Sequence, residues 1–234
     1  MNSTIKAVHY AMLSPDMKLF ELVEAAPSLL SIISRLGISL PFGDISIREM
    51  CARDGHDVEL FLMLCAMHID QHFRPEPSEL RAEMLDDVVG YLRASHRYYA
   101  DHMLPHTSTH LERILDHCDE LSRSVLRRFY DDYTRYIISH FAEEEQCIFA
   151  LIEGRDKGTV KADCSLFDMP HTDIDDRSND IASLIFKSLP ESTPTALRCA
   201  MLEHIYALRD DLRRHGNVEE YLLKPLVEKH INKE

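Results

Sequence analysis

Apolar residues recur at i, i+3, i+4 and i+7 along most of the chain, while the strict alternation of a half-buried strand is nearly absent. The expected fold class is all-α. Leu19, Leu22 and Val23, then Leu29, Leu30, Ile33 and Leu36, describe two short helices broken at Pro27 and closed by Gly37. Leu40-Pro41-Phe42-Gly43-Asp44 reads as a turn. Residues 45–53 and 58–71 give a second short helical pair with Gly55 between them. The stretch from Phe73 to Ser78 cannot continue a helix, because Pro75 and Pro77 each lack a backbone donor and clash with the preceding turn. A boundary is expected there, with residues 1–77 a small helical N-terminal domain and 78–234 the second domain. A module of about 70 residues is marginal as a core by itself, so pairing of two copies through it into a homodimer is one expectation.

Downstream, four longer helical segments are expected. Asp86 to His117 carries Val88, Val89, Leu92, Leu111, Ile114 and Leu115, with Pro105 as a kink or break. Leu121 to Glu153 is the longest uninterrupted pattern, and a polar loop with Gly154 and Gly158 follows it. A third helix starts near Pro170 and a fourth near Pro194. Four helices with short connections and one apolar face each predict a C-terminal antiparallel four-helix bundle.

Composition narrows the function classes. Hydrophobic residues at 45% and charged residues at 28% describe an ordinary soluble globular chain. A formal charge of −14 repels phosphate backbones, so nucleic acid is not an expected partner. No apolar run approaches the roughly 20 residues that span a bilayer, and the N-terminus lacks a signal-peptide pattern. No membrane partner and a cytoplasmic location are expected. The six cysteines include no C-x₂-C pair, which argues against a zinc knuckle or a dithiol redox pair. Histidine stands out, with 14 copies.

The histidines fall into a repeat. At an offset of 75 residues His96 maps to His171, His140 to His215, Glu144 to Glu219 and Glu145 to Glu220. Apolar positions follow the same offset, Ile137 to Leu212 and Ile148 to Leu223 among them. The unit is a helix with one histidine, then a helix with His-x-x-x-Glu. Residues i and i+4 lie about 40° apart around a helix and about 6 Å apart along it. His140 and Glu144 therefore share a face, as do His215 and Glu219. Four imidazoles and two carboxylates that can bridge give each of two metals two nitrogens and two oxygens, with open positions. That donor count fits a non-haem di-iron site, although the same ligands also accept zinc or manganese.

Other residues have plainer readings. His68 and His72 read as exposed histidines at a helix end. His102, His106 and His110 step by four but are separated by Pro105, and His110 lies near the His96 face in an auxiliary position. His117 reads as a helix-end residue. Tyr136, one turn before His140, is expected to point toward the same interior. Glu143, Glu145 and Glu220 read as solvated surface charges, and Phe141 and Phe149 as core. Cys147 follows Glu144 by three residues, near enough to approach the metal cavity, though a buried, inert thiol is the simpler reading.

With those residues in place, the chain resembles the hemerythrin-like di-iron proteins of the Repair-of-Iron-Centres (RIC) family. The segments SHFAEEEQCIFALI (139–152) and RRHGNVEEYLLKPLV (213–227) are similar to that family's two His-x-x-x-Glu helices. Residues 22–51 are similar to the small domain that precedes the bundle in many members. The resemblance implies a cytoplasmic stress-response protein that protects or repairs iron–sulfur clusters damaged by nitric oxide or peroxide. It implies two iron ions per chain, bridged by carboxylate and by an oxo or hydroxo group. The ligands so implied are His96, His140, His171 and His215, with Glu144 and Glu219 as the bridges. Its implied partners are damaged iron–sulfur proteins and the gases NO and O2. Binding or reduction of NO, O2 or peroxide, or donation of iron, would be the chemistry; a gas sensor or carrier without turnover is the alternative. The family's adjacent cysteine pair is replaced here by Pro41-Phe42, and Cys51 is the nearest thiol.

Overall fold

The computed structural model describes residues 12–154 and 172–230. Among the described residues the chain is all-α, its one β feature being an isolated bridge between Lys18 and Ser46. The helices are α1 Leu19–Ala25, α2 Leu30–Arg35, α3 Ile47–Asp54, α4 Val58–Ile69, α5 Met84–Tyr98, α6 Leu104–Leu115, α7 Glu120–Glu143, α8 Ala150–Glu153, α9 Thr172–Lys187, α10 Thr195–Val218 and α11 Lys224–His230. No described helix is long and apolar enough to cross a membrane.

Three joints between these helices are π-helical turns. Tyr99–Met103 joins α5 to α6, Glu144–Phe149 joins α7 to α8, and Glu219–Leu223 joins α10 to α11. The chain therefore stays helical from Met84 to Leu115, from Glu120 to Glu153 and from Thr195 to His230. Of the kink or break expected at Pro105, the break does not occur. Proline lacks a donor and its ring crowds the carbonyl four residues back. Here that crowding falls in the wide Tyr99–Met103 turn, and Pro105 then sits in the first turn of α6, where a donor is not needed.

By spatial contact the chain divides into two compact units. One comprises the residues up to Ala94 with those from Asn217 onward, and the other runs from Ser95 to Gly216. Both boundaries fall inside continuous helices.

In the first unit, local sequence sets each turn. Pro27 heads a short 3₁₀ turn, Pro27–Leu29, between α1 and α2. Ser46 and Glu49 form a capping box at the start of α3, Glu49 N–H donating to Ser46 Oγ at 3.2 Å and Ser46 N–H to Glu49 Oε2 at 2.7 Å. Gly55, at φ 78°, ends α3 in the left-handed region that glycine enters without penalty. Asp57 caps α4, accepting from Leu60 N–H at 2.9 Å. Helix α4 is apolar nearly all round and is buried from Leu60 to His68, apart from Leu62. His68, in the last turn of this helix, is thus only 8% exposed, not the solvated histidine expected, because the apolar face around it is buried. Pro77 opens a second 3₁₀ turn, Pro77–Glu79, flanked by extended backbone that ends the helical run before α5. Lys229 on α11 donates to Pro77 O at 3.0 Å and Leu80 O at 2.9 Å, and the Arg74 guanidinium lies 3.8 Å from the Tyr221 ring centre.

The second unit packs the rest of α5 with α6, α7, α9 and α10 around a core that includes Tyr99, Tyr133, Ile137, Ile181, Ile205 and Leu208. Those residues sit at helical spacing, so burial of one face holds each helix; each such side chain contributes roughly 1.5–3 kcal/mol. Two tyrosine hydroxyls find backbone acceptors inside it, Tyr130 at Leu104 O (2.7 Å) and Tyr99 at Asp211 O (3.2 Å). Asp119 caps α7 by accepting from Ser122 N–H at 2.8 Å.

Candidate metal centre

The repeat seen in the sequence reappears as equivalent backbone. His140 lies in the last turn of α7 and Glu144 opens the π turn that follows; His215 lies in the last turn of α10 and Glu219 opens its own. His96 lies in the last turn of α5, just before the remaining π turn. Every described member of the six therefore sits where an α-helix widens, and such widenings recur at functional sites.

His96, Glu144 and His215 offer ligand atoms within 4.8 Å of one another, and Glu219 joins them from the next turn of the helix that carries His215. All four are buried. His140, also buried, places Nε2 3.0 Å from Glu144 Oε1. His96 Nε2 lies 3.1 Å from Glu144 Oε2 and 3.1 Å from His215 Nε2. His171 lies outside the described residues.

The other face of His96 decides what these short distances mean. Its Nδ1 is 2.9 Å from Glu145 Oε1, and a carboxylate can only accept. Nδ1 therefore carries a proton, and in the neutral ring, the form in which histidine ligates a metal, Nε2 is a lone pair. That lone pair faces Glu144 Oε2, a buried oxygen with no hydrogen-bond donor. In that form two acceptors stand 3.1 Å apart in a buried site, an arrangement relieved by a metal cation between them or by a second proton on the ring. Imidazole nitrogens and carboxylate oxygens together form a donor set for a transition-metal cation, and the residues present fit one.

The surroundings hold the ring rigidly. Phe141 stacks on His96 with centroids 4.2 Å apart and an interplanar angle of 12°, and Phe149 stacks at 5.5 Å and 11°. Tyr99 packs edge-on to His215 at 5.7 Å. The two phenylalanines are core residues as expected, and they also orient the His96 ring.

A protein-family model, the hemerythrin HHE cation binding domain, matches residues 87–227. The chain belongs to this hemerythrin HHE family. The match spans more than half of the chain and contains every member of the buried cluster. No curated protein and no solved structure gives a match. An HHE domain is a cation-binding, iron-type module with a helical-bundle fold, in keeping with the helices and the His/Glu cluster found here.

Several residues of this HHE domain lie elsewhere than the sequence pattern placed them. Glu145 is not a free surface charge: it bonds to His96, because a π turn spreads fewer degrees between neighbours and keeps Glu145 close to the Glu144 face. Tyr136 does not point at the cluster; its hydroxyl is 3.3 Å from Asp173 Oδ2 and Arg177 lies over its ring at 4.4 Å. Cys147 is exposed, since it sits on the outer side of the Glu144–Phe149 turn. Glu220 is a surface charge as expected, 3.8 Å from Lys224. His110 is not beside His96; with His106 it meets His204 of α10. The sequence offered the i, i+4 spacing of His106 and His110 as a signal, but His204 carried none.

Proposed function

We propose that the chain is a non-haem di-iron protein of the iron–sulfur-cluster repair type, acting in the nitrosative and oxidative stress response. The proposed ligands are His96, His140, Glu144, His171, His215 and Glu219, with the two carboxylates bridging. The reading rests above all on the 3.1 Å approach of His96 Nε2 and Glu144 Oε2 in a buried site of this donor composition. When bound, the iron pair supplies redox equivalents and open positions for NO, O2 or peroxide. The chain's own residues do the rest. Glu145 fixes the His96 tautomer, Phe141 and Phe149 hold the ring in place, and the apolar packing keeps water from the carboxylates.

The proposed domain division, 1–77 and 78–234, belongs to this reading: a chain starting near Glu79 should fold and keep its metal. One observation favours the second reading, a gas sensor or carrier without turnover. Pro41-Phe42 stand where the repair family has its cysteine pair, and Cys51 is fully buried with its thiol pushed up to about 11, chiefly by desolvation and then by Asp57 and Asp54. A thiol so placed is a poor nucleophile or iron carrier at neutral pH.

Metal analysis of anaerobically purified protein should give two irons per chain, and incubation with a nitric-oxide-damaged cluster protein should restore that protein's cluster. One metal or none after iron reconstitution refutes the di-iron assignment. Reversible O2 or NO absorption with no restoration favours the carrier.

A further inference from the structure

Outside the buried cluster, α6 and α10 bring three more imidazoles together. His106 and His110 stand one turn apart on α6, and His204 faces them from α10. Their ring centroids are 5.1 Å apart for His106 and His110, 4.6 Å for His106 and His204, and 4.2 Å for His110 and His204. Each offers a ring nitrogen within 4.8 Å of the others. His110 Nδ1 is shielded from solvent and has no hydrogen-bond partner, so this nitrogen is not satisfied by the fold alone. Beside the cluster opens a cavity of about 520 Å³ lined by Tyr98, Asp101 and His102 together with His106 and His204.

We propose that His106, His110 and His204 form a second cation site, specific for a borderline divalent ion of the Zn²⁺, Cu²⁺ or Ni²⁺ class. Three imidazoles with no thiolate and no carboxylate among them suit those ions and reject Mg²⁺ and Ca²⁺, which require oxygen ligands. Three histidines leave a fourth position for water or a small ligand, and here that position opens to the cavity. Zn–N bonds of about 2.0–2.1 Å in a tetrahedron require nitrogens about 3.3 Å apart. The cluster thus closes by at most about 1.5 Å, a movement that the exposed His106 side chain supplies by rotation. His110 and His204 are also ready as neutral ligands. Desolvation lowers both His110 and His204 below the usual histidine value; His106 adds to both shifts, and His204 and Arg113 add to that of His110, while Glu203 opposes the shift of His204. A bound ion would tie α6 to α10 within the second unit.

The test uses the full chain, first loaded with iron and desalted, then titrated with ZnCl₂ by calorimetry with metal analysis of the product. The expected result is one additional zinc per chain with no iron released. His106→Ala and His204→Ala should each weaken that binding by about tenfold or more, whereas His102→Ala and His117→Ala leave it unchanged. His96→Ala should still bind the additional zinc. No additional equivalent, zinc taken up in exchange for iron, or equal affinity in His106→Ala and His204→Ala each overturns the proposal. Because His106 is exposed, His106→Gln reads the site even if His204→Ala loses helix content.

Discussion

The two histidine clusters of this chain lie on the same helical framework and yet have opposite chemistry. His96, Glu144, His215 and Glu219 are all buried and mix nitrogen with anionic oxygen, and a carboxylate fixes the tautomer of one ligand. His106, His110 and His204 are half-exposed, wholly imidazole, and keep an unsatisfied nitrogen beside a cavity. In the first, buried negative charge makes a cation part of the stable structure. In the second, imidazole rings in partial contact with water tolerate an empty site, so a metal there is an addition to a fold that stands without it.

The largest difference between them should appear on metal removal. Stripping the buried cluster with a chelator should lower the melting temperature by about 5–10 °C, since a ligand at a hundredfold its Kd stabilises by about 2.7 kcal/mol and each kcal/mol is worth about 2–4 °C in a chain of this size. Stripping zinc from the second cluster should move it by less, as differential scanning calorimetry would show. Equal shifts would erase the distinction drawn between the two.

Next come the two carboxylates proposed as bridges. Glu144→Gln and Glu219→Gln each replace an anionic oxygen with a neutral amide of the same volume, so metal affinity should fall about 10–100-fold with helix content unchanged by circular dichroism. Neither substitution should alter zinc uptake at His106, His110 and His204.

A smaller effect separates the neighbours of those carboxylates. Glu145→Gln breaks the charge-assisted bond to His96 and should weaken metal binding by about tenfold. Glu220→Gln removes only an exposed i, i+4 pair with Lys224 and should change stability by less than about 0.5 kcal/mol. Identical behaviour of the two variants, in competition titrations with a metal indicator, would remove Glu145 from the site.

The smallest effect concerns protons. Without added zinc, His110 and His204 should titrate below the usual 6.5 in NMR spectra. Their folded values are depressed, so the unfolded chain binds more protons as pH falls below 6.5. The small stability they contribute is therefore complete above pH 6.5 and is lost as pH drops through their lowered values. Titration at or above 6.5 would contradict the shielding of these two rings.

How much of this was legible beforehand follows from the reach of each interaction. The helices, the turns at Pro27, Gly37 and Gly55, and the shared faces of His140 with Glu144 and of His215 with Glu219 rest on contacts within a few residues, and helical geometry converts spacing into direction. The 75-residue repeat added the pairing of two such motifs, and the equivalent turns at Glu144 and Glu219 carry it into the backbone. Three features were not legible. The Pro105 interruption vanished into a π turn, Glu145 reached His96, and His204 met His106 and His110. The first two depend on the extra residue of a π turn, and the last two on which helix faces which across more than forty residues of sequence. Amino-acid identity and spacing determined which ligands exist, and only the assembled helices decided which of them meet.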